Sequence, residues 1–77
     1  MTRGYSQYTV DLNKSADKRQ VGVALGRLCI AKRVPVAQIA ERFGVSRQTV
    51  YNWFAGVHEP SRELLRPILT YIKTLTK

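Results

Sequence analysis

One cysteine, Cys29, and one histidine, His58, are all the sequence holds of the two side chains that most often ligate transition metals. A lone cysteine excludes an internal disulfide and any cysteine-based zinc site. Cys29 stands in an apolar row at helical spacing, so it reads as a small buried hydrophobe rather than a reactive thiol. His58 falls in a loop without the cluster of ligands a metal needs, and no metal is expected. Acidic residues are also scarce, five against 13 Lys and Arg. One His, one Cys, five scattered acids and no glycine-rich phosphate loop leave nothing from which to assemble a triad, a dyad or a metal site. The chain is therefore not expected to be an enzyme, to carry a cofactor or to bind a small-molecule ligand. No apolar run approaches the ~18 residues of a membrane span. The opening MTRGYSQYTVDLNK lacks the apolar centre of a signal peptide, so a cytoplasmic protein is expected.

What the sequence does have is positive charge, a net +8 over 77 residues. Seven of the 13 basic residues occur by Arg33 and six follow, so the charge is not a disordered basic tail. That balance favours a polyanionic partner, nucleic acid before membrane. The length suits one small domain, burying ~60% of its unfolded surface.

Residues 1–16 lack helical periodicity. Tyr8, Val10 and Leu12 alternate with Thr9 and Asp11, which predicts an arm or short strand ahead of a domain at 17–77. Arg3 and Tyr5 near its tip are placed to reach DNA, as N-terminal arms do in the minor groove. Ser15 or Asp17 can cap a first helix ending near Arg33, with Val21, Ala24, Leu25, Leu28 and Cys29 as its inward row. Val23 and Ile30 fall on another face, which the N-terminal segment can cover. Gly22 and Gly26 each weaken that helix by about 1 kcal/mol relative to Ala, which points to close packing. Lys32 and Arg33 suit its C-terminal dipole, and Pro35 stops it. A last helix should follow Ser61, with Leu64, Leu65, Ile68, Leu69, Ile72 and Leu75 inward. Pro67 is expected to kink it or split it in two, the split at 62–66 and 67–75 being preferred.

Residues 36–55, VAQIAERFGVSRQTVYNWFA, carry the densest signal. Ala40 precedes Gly44 by four residues, and Val50 and Trp53 follow it by six and nine. Gly44 is free to take the left-handed turn between two short helices, and Ser46 can cap the second by accepting from the amides of Gln48 or Thr49. Ala40 supplies a small contact where the helices cross. Ile39, Phe43, Val45, Val50 and Trp53 fix the angle. Outward on the second helix, which runs from Arg47 to about Ala55 and is ended by Gly56, stand Arg47, Gln48, Tyr51 and Asn52, and the helix contains no acid. A surface helix more often carries Glu/Lys pairs there. An acid-free, hydrogen-bonding face is what the approach of phosphates requires.

This segment, followed by EPSRELLRPI, resembles the lambda-repressor-like helix-turn-helix family that includes the phage Cro and repressor proteins. The likeness covers roughly residues 21–72 and is strongest over 36–60. It implies an all-α bundle of four to five helices around a central helix-turn-helix, with the N-terminal segment extended beside it. It also implies that Arg47, Gln48 and Asn52 contact bases in the major groove of double-stranded DNA. Gln38, and Thr49 or Tyr51, would contact phosphates. Ser46 is a further backbone candidate, and Lys18, Arg19, Lys32, Arg33 and Arg62 are candidates for phosphate contact, with a solvated face as the alternative for each cation. Chemistry assigns compatible roles, since Arg bonds guanine O6 and N7 bidentately and Gln or Asn does so with adenine N6 and N7. The expected function is a small Cro-like repressor binding a palindromic operator as a homodimer, its interface on the last helix or the N-terminal segment. A recombination or excision accessory protein and an antitoxin-type autoregulator are the alternatives.

Overall fold

Ser6 opens a helix where an extended arm or strand is expected. In the computed structural model, which describes residues 5–76, the Ser6 side chain accepts from the Thr9 amide and begins α1 (Gln7–Ser15). Gln7 then bonds Asp11 one turn on at 2.9 Å. The alternation of Tyr8, Val10 and Leu12 misleads because the inward face of α1 is built on a polar residue. Asn13 is buried at 2% exposure, and its amide donates to the carbonyls of Val23 at 3.2 Å and Phe54 at 2.8 Å. Arg27 completes the arrangement, its Nε donating to Asn13 Oδ1 at 3.4 Å and its guanidinium also to the Asn13 backbone carbonyl at 3.0 Å. A buried amide is tolerable only when its donors and acceptor are met in this way.

Four more helices follow: α2 (Val21–Lys32), α3 (Val36–Phe43), α4 (Arg47–Ala55) and α5 (Arg62–Leu75). The described residues thus form an all-α bundle of five helices, with no strand among them. Neither Ser15 nor Asp17 caps α2. Ser15 ends α1 with its hydroxyl on the Asp11 carbonyl. Asp17 instead accepts from the amide and guanidinium of Arg19, both at 2.9 Å, and closes the turn between the helices. Those bonds hold the Asp17 carboxyl below its ordinary value. The N-cap of α2 falls on Gln20, without a side-chain bond.

Helices α2, α3 and α4 end alike. Arg33, Gly44 and Gly56 all take left-handed conformations, and the amide after each reaches back to Cys29, Ala40 and Asn52 respectively. This closure satisfies carbonyls that the last turn leaves open. The glycines adopt it without the strain a side chain brings; Arg33, at φ 59°, does not.

The core forms where α2 crosses α4. Leu25, Cys29, Ile39, Val50, Phe54 and Ile68 are fully buried, with Trp53 and Tyr71 nearly so. A Cβ on Gly22 would stand 2.8 Å from Trp53 Cβ, and one on Gly26 would stand 2.6 Å from Phe54 Cγ. These two glycines set how closely the helices approach. Phe43 packs edge-on against Trp53 and Tyr71, joining α3 to α5. Val23 is buried and Ile30 half-buried, and the cleft between α1 and α2 is lined by Val10, Asn13 and Ile30.

Helix α5 is continuous through Pro67, against the preferred of the two expectations, the split. The bond that proline removes would have reached the carbonyl of Glu63, in the exposed first turn. Downstream, the buried Ile68 and Tyr71 hold the helix to the core, so the break stays local. Ser61 stands at the N-cap as expected, although its backbone carbonyl, not its side chain, takes the Leu64 amide at 2.9 Å.

Candidate nucleic-acid interface

The left-handed turn at Gly44 ends α3 and leads the chain into α4, which lies against α2 with one face left to solvent. Val45, half-buried after the turn, bonds the Ala40 carbonyl at 3.0 Å, and Ser46 then starts α4 by accepting from the Thr49 amide at 3.1 Å. The hydroxyls of Ser46 and Thr49 also bond each other at 2.9 Å. Both residues therefore belong to the cap, and the phosphate contacts expected of them would be made from that engaged state.

With Val50, Trp53 and Phe54 inward, Arg47, Gln48, Tyr51 and Asn52 are left on one outward face. Arg47 and Gln48 are exposed, and Asn52 is half-buried. The amide of Gln48 donates to Asn52 Oδ1 at 3.1 Å across one helical turn. That bond fixes the two side chains as a pair while the Gln48 oxygen and the Asn52 amide stay available. Adenine presents the matching acceptor and donor at N7 and N6. Tyr51 sits between two clefts. One is shared with Arg47 and the first turn of α3, and the other with Gln48 and Asn52.

Gln38 is exposed in the first turn of α3, and Lys32 and Arg33 are exposed where α2 ends. Helix N-termini and nearby cations both favour an anion, as a DNA phosphate requires. Among the described residues the one ion pair joins Arg19 to Asp17, so Arg47, Lys32 and Arg33 are not neutralised by a carboxylate. Arg19 is the cation already engaged.

The sequence misplaced one candidate. Tyr5 is not poised to reach DNA; its hydroxyl donates to the Val34 carbonyl and its ring packs 6.0 Å from that of Phe54. Burial raises its pKa and keeps it a donor. Arg3 lies outside the described residues. Residues the sequence reading passed over are Phe54, Val36 and Tyr71 in the core behind the face, and Tyr8 and Leu12 of α1 beside it. Only Phe54 carried a local signal, since it lies one position from Trp53 and four from Val50.

Among the described residues no helix is long and apolar enough to cross a membrane. Residues 15–63, nearly two thirds of the chain, match the family model of the homeodomain-like domain. The match is to a helix-turn-helix DNA-binding domain, and it is not to the lambda-repressor-like type in particular. No curated protein and no solved structure matches the chain.

Proposed function

The chain belongs to the homeodomain-like domain family, a family of helix-turn-helix DNA-binding domains, and on that premise we propose a sequence-specific regulator of transcription. One observation carries the reading. The outward face of α4 bears Arg47, Gln48, Tyr51 and Asn52 and no acid, on a helix that Gly44 and the Ser46 cap set off from α3. In this reading Arg47 bonds guanine, and the Gln48–Asn52 pair bonds adenine, in the major groove. Gln38, Ser46, Thr49, Tyr51, Lys32 and Arg33 hold the flanking phosphates and set the register.

The regulator is a small repressor of the Cro type that occludes a promoter by occupying a palindromic operator as a homodimer. A single reading helix covers too few base pairs for selectivity, and two copies reach half-sites one helical turn apart. Support for the dimer comes from α5, where Leu69 is 48% exposed and Leu65, one turn before it, is half-buried. These two form an apolar edge for the second copy.

The test is selection of bound duplexes from random-sequence DNA, followed by affinity measurements across salt concentrations. Affinity should fall with salt at a slope of about −0.9 per phosphate neutralised. Arg47→Ala should relax preference at one base pair, whereas Lys32→Ala should weaken all sequences alike and reduce the slope by about one. Unchanged binding of the selected duplex by Arg47→Ala and Gln48→Ala would remove α4 from the interface.

A further inference from the structure

Among the described residues, five large hydrophobic side chains are substantially exposed, and four of them border a single trough. Tyr8 (73% exposed) and Leu12 of α1 form one wall, together with Thr9. Gln48, Tyr51, Asn52 and Ala55 of α4 form the other, with Val57 at the end. The volume enclosed is about 350 Å³. The trough keeps four apolar side chains in contact with water. Its second wall is the face assigned to DNA reading.

Helix α1 lies beside α4, its start near Arg47 and its end near Phe54. Tyr5 and Ser6, ahead of α1, line a cleft with Arg47 and Tyr51, and Asn13 near its end bonds the Phe54 carbonyl. Packed helices lie ~8–10 Å apart. The major groove is ~12 Å wide and admits one helix. With α4 seated at the centre of the groove, half its width is ~6 Å, less than the spacing of packed helices, so a helix beside α4 reaches the sugar-phosphate strand that bounds the groove.

We infer that this strand lies in the trough between α1 and α4, with the Tyr8 hydroxyl donating to a phosphate and Leu12 and Val57 packing against deoxyribose. The inference rests on the proposed reading of α4 and extends it to a helix that the helix-turn-helix motif does not include. Tyrosine hydroxyls are among the ordinary donors to DNA phosphates. The contact carries no sequence information of its own. It adds affinity to every duplex and fixes the angle at which α4 enters the groove.

The experiment measures affinity of the full chain for a duplex recovered by selection from random sequence, and for an unrelated duplex. Tyr8→Phe removes only the hydroxyl and should weaken both by about fivefold, the worth of one hydrogen bond. Leu12→Glu sets a carboxylate against the phosphates and should weaken both tenfold or more. Both positions are exposed, and unchanged helicity and unfolding midpoint confirm that the variants fold. Wild-type affinity in both variants, with binding lost in Gln48→Ala, leaves α4 on DNA and overturns this inference alone. Tighter binding by Leu12→Glu overturns it as well, since α1 would then be obstructing the face. If wild type binds no duplex at all, the reading of α4 fails first and this one with it.

Discussion

Replacing Gly26 by alanine tests whether the approach of α2 to α4 limits stability. On helix propensity alone the change should stabilise the protein by about 1 kcal/mol. The structure reverses the sign. The new Cβ would lie 2.6 Å from Phe54 Cγ, 2.8 Å from the Asn13 amide nitrogen and 2.9 Å from Phe54 Cβ. Carbon atoms are at their optimum ~3.5–4.0 Å apart, so the helices must part by on the order of 1 Å. Phe54 is fully buried and has no solvent to swing into. Overpacking of this kind costs ~1–3 kcal/mol, and disturbing the Asn13 bond to the Phe54 carbonyl adds ~1 kcal/mol. Set against the propensity gain, the net loss is about 2 kcal/mol. For a domain of this size it lowers Tm by roughly 8–16 °C. Gly22→Ala should cost at least as much, because its Cβ meets the Trp53 carbonyl oxygen at 2.9 Å and backbone cannot rotate away. Thermal and urea unfolding followed by circular dichroism supply the measurement. Ala31→Gly, on an exposed position of the same helix, supplies the propensity scale. A Gly26→Ala protein as stable as wild type, or more so, would refute the close-approach reasoning.

Arg33→Gly relieves the left-handed strain at the end of α2 and should raise stability by about 1 kcal/mol, while weakening all duplexes alike. Unfolding midpoints and titrations at one salt concentration check both halves. Pro67→Ala restores an amide for the Glu63 carbonyl and should stabilise α5 by about 1–3 kcal/mol, read as a higher urea midpoint at constant m-value. Burial pushes the Cys29 thiol from 9.0 up to about 12, so the folded state favours the protonated form. Stability from this group is complete below the ordinary thiol value and is lost as pH rises through about 12. At neutral pH, alkylation by iodoacetamide should follow global unfolding, and rapid modification of the native protein would contradict the burial.

The helix-turn-helix was legible because its determinants are local. Gly44 must turn, Ser46 must cap, and Ala40, Val50 and Trp53 must meet at fixed offsets, and each falls where the sequence places it. The two glycines of α2 were legible as a packing signal, although only the structure names Trp53 and Phe54 as their partners. Helix α1 was not legible in the same way. Its inward face rests on Asn13, whose partners lie ten and forty-one residues away, so no periodicity of apolar residues announces it. A local signal was present in the Ser6 cap and the Gln7–Asp11 pair, but the alternation of Tyr8, Val10 and Leu12 outweighed it. Pro67 misled because proline rules describe a helix in isolation, and α5 is held by Ile68 and Tyr71. Exposure of Tyr8 and Leu12 depends wholly on how α1 docks.

The amide of Asn13 also decides which of several dockings is admissible. A helix held only by apolar contacts slides along its neighbours at small cost, since one methyl group substitutes for another. Moving α1 by a turn, ~5.4 Å, would carry the amide away from both the Val23 and Phe54 carbonyls and strand a buried donor group in the core. Asn13 thus acts as an alignment pin. It fixes where Tyr8 and Leu12 come to rest beside α4, so a side chain wholly inside the protein governs the shape of its outer surface.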